Sequence, residues 1–89
     1  MIVYDEPKRL ANLDKHGLDF AAFETSFSWH DAVVLPARPS RTGRERLRLV
    51  GRIDGDLVVA VVSPLGSEAL SLVSLRRAGA DERKLYEQR

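Results

Sequence analysis

Eighty-nine residues carry 14 Lys and Arg against 13 Asp and Glu, a formal net charge of +1, with 44% hydrophobic and 30% charged residues. That length sets an expectation of one domain, residues 1–89, because independent domains need ~50–200 residues, and the absence of cysteine excludes a disulfide framework and a thiolate zinc site. The hydrophobic share excludes a disordered chain, and the longest apolar run, Leu57 to Val62, falls far short of the ~20 residues that span a bilayer.

The opening Met1 to Arg9 meets charge within five residues and lacks the apolar stretch of a signal peptide, so a cytoplasmic location is expected. Ile2-Val3-Tyr4 is a short β-prone run. Asp5 or Glu6 then caps a helix whose first turn holds Pro7, a residue already set to helical φ. Leu10, Ala11 and Leu13 recur at helical spacing, and Lys15-His16-Gly17 closes the segment with dipole-matching cations and a left-handed cap. Asp19 caps a second helix carrying Phe20, Phe23 and Phe27. Ala32 to Leu35 reads as a strand ended by Pro36, and Ala37 to Gly43 as a loop.

Arg44 to Arg52 alternates, with Arg44, Arg46 and Arg48 on one side and Glu45, Leu47 and Leu49 on the other, as in a half-exposed strand. Asp54-Gly55 marks a hairpin turn. Leu57 to Val62 is a β-branched run suited to a central strand, Pro64 to Ser67 a turn, and Ala69 to Leu75 a further strand. Gly79 to Gln88 closes as a helix. The order β-α-α-β-β-β-β-α with short hairpins predicts an α+β fold, a small antiparallel sheet with helices mainly on one face.

The charge is segregated along this order. Residues 1–37 hold three bases and six acids, a sum of −3, whereas residues 38–89 hold eleven bases and seven acids, a sum of +4. Between residues 38 and 52, Arg38, Arg41, Arg44, Arg46, Arg48 and Arg52 face only Glu45. Arginine binds phosphate or carboxylate at two points, so this segment suits a polyanion or an acidic partner. Side chains two apart on a strand stand about 7 Å apart, near the spacing of phosphates on a single strand; the alternative is a solvated strand face. Lys15-His16 pairs a proton-transfer group with an ammonium, or else merely matches the helix dipole. Glu45 is a candidate general base or a counterion for its neighbours. Arg76 and Arg77 collect charge beside a helix start, an anion-binding arrangement. Tyr4, Trp29 and Tyr86 can stack on bases or serve a small core. With no cysteine and no two-histidine spacing, neither a metal site nor a cofactor is expected.

Three blocks of sequence together resemble the BrnT family of type II toxins. Tyr4-Asp5-Glu6-Pro7-Lys8-Arg9, Asn12, Lys15-His16-Gly17-Leu18 and Phe20 match its opening. Gly43-Arg44-Glu45-Arg46 with Gly51 matches its Gly-x-Glu-Arg strand, and Ser74-Leu75-Arg76-Arg77-Ala78 with Glu82-Arg83 and Tyr86 matches its closing segment. The resemblance implies a RelE-like fold with two N-terminal helices and a C-terminal helix. It also implies a metal-independent endoribonuclease that inhibits translation. A cognate BrnA-type antitoxin of the ribbon-helix-helix kind would neutralise it, and operator DNA would be bound only through that complex. On this reading Arg46 and Arg76 stabilise the phosphate, while Lys15, His16 and Glu45 are the proton-transfer candidates. Tyr4, Arg44, Arg48 and Arg77 bind substrate, and Asp5 is a structural cap. Relatives usually carry arginine where Ser71 stands and another in the preceding turn, here Pro64-Leu65-Gly66-Ser67. The alternative expectation is therefore a weakened or inactive homologue that acts as an antitoxin- or nucleic-acid-binding regulatory module.

Overall fold

The computed structural model describes residues 1–89. The elements are β1 (Ile2–Val3), α1 (Glu6–His16), α2 (Phe20–Ser26), a 3-10 turn (Trp29–Asp31), β2 (Val33–Pro36), β3 (Leu47–Ile53), β4 (Asp56–Leu65), β5 (Ala69–Arg77) and α3 (Ala80–Glu87). No helix is long and apolar enough to cross a membrane.

The local signals act as expected at the helix ends. Asp5 caps α1, its Oδ1 accepting the Lys8 N–H at 2.9 Å, with Pro7 in the first turn. Gly17, at φ +70°, closes the helix by donating its N–H to the Leu13 carbonyl at 2.8 Å. Asp19 caps α2 through the Ala21 N–H at 2.9 Å. Asp54 and Gly55 both take positive φ, 49° and 88°, the geometry of a two-residue hairpin whose turn follows the strand twist.

The sheet runs β1-β5-β4-β3-β2. Its four longer strands are antiparallel neighbours, as expected; β1 adds a parallel edge, Ile2 opposite Leu70 and Val3 opposite Ser71. The helices do not share one face, which corrects the expectation. Phe20, Phe23 and Phe27 pack on one side with Leu49, Val58 and Leu72, whereas Tyr86 of α3 packs on the other with Val50, Leu57 and Val59. The strand β4 dictates this: Val58 and Val62 face one way and Leu57 and Val59 the other, all buried, so both faces need a cover. Each fully buried phenylalanine or valine contributes about 1.5–3 kcal/mol of apolar burial.

Two close fits lock the layers. Gly51 lies under the Phe27 ring, where an added Cβ would stand 2.7 Å from Cζ. Asn12, buried on α1, accepts the Leu75 N–H at 3.0 Å and donates to the Leu75 carbonyl at 2.8 Å. Because β1 pairs only with Leu70 and Ser71, β5 is otherwise open beyond them, and Asn12 takes the place of the missing strand. This fixes α1 alongside the second half of β5.

Candidate functional site

α3 covers only one end of its sheet face. Beyond its N-terminus, Arg46 and Arg48 line an open cleft with Val61, Val73 and Ser74, and Arg38 stands in the wall from the β2–β3 loop. A second cleft lies between α1 and β5. Lys8, Lys15 and His16 line it, again against Val73 and Ser74. Lys8, Ala11 and Lys15 recur at helical spacing and so share one face of α1.

The wall common to both clefts is a β-bulge. Val61 pairs with Ser74 and Val62 with Leu72, which leaves Val73 without a partner. One extra residue bends the strand and re-aims its side chains. Three separated stretches of sequence, around Lys15, Arg46 and Ser74, thereby meet at one place.

The cations differ in what they already hold. Arg76 donates to Glu82 through two parallel bonds, Nη1 to Oε1 and Nη2 to Oε2, both 2.7 Å. Arg48 donates Nη1 to Oε2 of the same carboxylate at 2.9 Å and Nε to the Pro36 carbonyl at 3.0 Å. The Gly79 N–H, at the start of α3, also reaches Glu82 Oε1 at 2.9 Å. Glu82 is itself buried, 5% exposed. The Arg76 fork, then the Gly79 N–H and Arg48, pull its carboxyl down to about 2 against the opposing effect of burial. By contrast Lys8, Lys15, Arg38, Arg44 and Arg46 form no ion pair.

The predicted residues therefore part company. Lys15 and His16 face the bulge from one side, Arg46 and Arg48 from the other. Arg76 lines neither cleft and is spent on Glu82. Arg77 reaches the His16 carbonyl at the end of α1, Nη1 to O 3.3 Å. Glu45 is exposed and lines neither cleft; its carbonyl accepts the Ser63 hydroxyl at 2.7 Å. Tyr4 packs edge-on against Phe20 and donates its hydroxyl to Glu24 at 3.3 Å, away from both clefts.

The expected arginine row is also corrected. β3 begins at Leu47, so Arg44 sits in the loop, which is closed by the Ser40 N–H to the Arg44 carbonyl at 3.0 Å and the Arg44 N–H to Ser40 Oγ at 2.9 Å. Trp29 packs edge-to-face against Phe23 and Phe27, and Tyr86 lies buried beneath Arg89, whose guanidinium is 3.9 Å from the ring centre.

The sequence marks Arg38 only within the arginine segment, and Lys8 and Ser74 only within the family blocks, none with a site role. The bulge did leave a trace there: the apolar alternation Leu70, Leu72 slips by one residue to Leu75. Glu82, three residues past the Gly79 cap, accepts the Gly79 N–H as that spacing suggests, but its role as the anion of a two-arginine cluster has no local signal.

No group of three or more His, Asp or Glu side chains converges as a metal cage. The donor set at the bulge is instead cationic and hydroxylic. It can bind a phosphodiester at several oxygens and move a proton through His16 or Lys15.

A family model described as the ribonuclease toxin BrnT of type II toxin–antitoxin systems matches residues 4–82. Among solved structures, the crystal structure of the Brucella abortus ribonuclease toxin BrnT is similar at a TM-score of 0.70 and 41% identity, over 88% of this chain and 95% of that one. No curated protein matches the chain.

Proposed function

Since the chain belongs to the BrnT family of ribonuclease toxins of type II toxin–antitoxin systems, we propose that it cuts RNA on the cationic surface around the β5 bulge, with Arg46 as its principal phosphate-binding group. The family makes RNA its target and an antitoxin its partner. The observation that carries the site assignment is the contrast in pairing: Arg46 lines the cleft with no carboxylate on it, while Arg76 holds Glu82.

The chemistry follows from that donor set. A base removes the proton of the 2′-hydroxyl, O2′ attacks phosphorus, and the O5′–P bond breaks as the leaving oxygen gains a proton. The products are a 2′,3′-cyclic phosphate and a 5′-hydroxyl. Arg46 stabilises the charge that builds on the phosphorane oxygens, and its permanent cation needs no metal to do so. Lys15 and His16 are the groups in the α1 cleft that take the two proton transfers. Arg48, held by Glu82 and Pro36, presents its remaining guanidinium edge to the cleft, and Arg76 positions it through Glu82. Glu45 has no part in this scheme.

We assign residues 1–89 to one toxin domain working in the cytoplasm. Its antitoxin is of the BrnA, ribbon-helix-helix kind, and operator DNA is reached only through that complex. One observation favours a second reading, a weakened enzyme. Ser71 stands beside Ser63 on the sheet, and no arginine occupies the turn from Pro64 to Ser67, so the two positions where relatives usually place arginine carry no charge.

The test is purified protein with RNA in the presence of a chelator. The account expects 5′-hydroxyl and 2′,3′-cyclic phosphate ends to appear undiminished. Cleavage that needs a divalent ion overturns the scheme, and intact RNA supports the weakened homologue.

A further inference from the structure

The two clefts contain more binding capacity than one phosphate needs. Each has its own unpaired cations, Lys8 and Lys15 on the α1 side and Arg38 and Arg46 on the loop side, and they share a single wall. Lys8 and Arg38 are both exposed, one in each lining, and neither contacts a carboxylate. The only polar side chain present in both linings is Ser74, and its hydroxyl has no bond to any protein group. A bulge that presents a half-buried, unbonded hydroxyl between two cationic walls suits a chain of phosphates.

We infer that single-stranded RNA crosses β5 at the Val73–Ser74 bulge, with one flanking phosphate held by Lys8, another by Arg38, and the scissile phosphate bonded to the Ser74 hydroxyl. This rests on the cleavage site proposed above and adds its substrate path. Crossing β5 sets the scissile group between the proton-transfer candidates Lys15 and His16 in one lining and the charge-stabilising Arg46 in the other. A single strand is specified because a duplex holds its backbone out of line for attack by O2′. Ser74 donates to a non-bridging oxygen and is not itself a nucleophile. Lys8 and Arg38 contribute positive charge to binding and none to bond breaking.

The binding test uses a 2′-O-methyl RNA of about twelve nucleotides, which lacks the attacking hydroxyl and spans a site of ordinary size for a single strand. Lys8→Ala and Arg38→Ala are each expected to weaken binding about three- to tenfold and to lower the salt slope by ~0.7, with the double variant losing both increments. If only one substitution matters, the strand occupies one cleft and the path is wrong; if neither matters, both ends of it are wrong. This readout is independent of cleavage, so the path stands or falls on binding even where the wild type leaves RNA intact.

On cleavable RNA, Ser74→Ala is expected to lower kcat about tenfold with KM nearly unchanged, and Ser74→Thr to restore it, since the hydroxyl returns. A rise in KM alone, or a threonine variant as slow as alanine, overturns the placement of Ser74.

Discussion

Two neighbouring groups of arginines do different work. Arg48 and Arg76 share the buried carboxylate of Glu82, Arg76 by a two-point fork and Arg48 by a single bond. Arg46 and Arg38 hold no carboxylate and line the cleft that Arg48 also borders. The fork that Arg76 offers to Glu82 is the same fork that recognises phosphate, so a guanidinium already engaged there must give up one anion to take another. Counting cations overstates what a surface can bind; counting cations free of carboxylate does not. The net charge of +1 conceals both groups equally.

The first way to sharpen the contrast is to remove the shared anion. Glu82→Ala leaves two guanidinium groups together and deprives Gly79 of its acceptor, and breaking such a cluster costs about 3–5 kcal/mol. The melting temperature is expected to fall by roughly 12–40 °C in a domain of this size. A variant that melts with the wild type dissolves the distinction between the two groups.

The same cluster sets an acid limit, with a cost of comparable order. The Glu82 carboxyl lies at about 2 in the folded protein against an ordinary value of 4.5. The unfolded chain therefore binds the proton more readily, and the stabilisation is fully present above about pH 5 and disappears as pH falls toward 2. That difference amounts to about 3 kcal/mol. Denaturant midpoints between pH 6 and 2.5 should drop more steeply for wild type than for Glu82→Gln, which has no carboxyl to titrate; equal slopes contradict the assignment.

The smallest effect belongs to Arg77. Its bond to the His16 carbonyl is long, 3.3 Å, and exposed. Arg77→Ala should change stability by less than about 0.5 kcal/mol in chemical denaturation. A loss several times larger makes Arg77 a third structural arginine.

The residues differ in how far their roles could be read from the chain. Asp5, Gly17, Asp19 and the Asp54-Gly55 turn act through their own backbone and immediate neighbours, so their spacing alone placed them. The long strands were legible for the same reason. The placement of α3 on the opposite face depends on Leu57 and Val59 needing a cover, a demand that a run of apolar residues expresses without saying which helix meets it. The site was half legible. Lys15, His16, Arg46 and Arg48 carry chemistry that marks them, and they do flank one bulge. The pairing of Arg76 with Glu82, six residues apart across a strand end and a helix start, depends on how the chain turns at Ala78 and Gly79, and sequence shows only that both charges exist. Asn12 is similar: its bonds to Leu75 span 63 residues, and the polar residue on a helix gave no hint of a strand edge to complete.

The most direct test sets Arg46→Ala beside Arg76→Ala, each assayed for RNA cleavage and for thermal unfolding. Arg46→Ala is expected to lose roughly 10²–10³-fold in rate with an unchanged melting temperature, the loss typical of one removed charge-stabilising donor. Arg76→Ala is expected to melt well below the wild type while cutting at most of its rate at temperatures where it is folded. The reverse pattern, a stable Arg76→Ala that no longer cuts RNA beside an Arg46→Ala that cuts like wild type, contradicts the account.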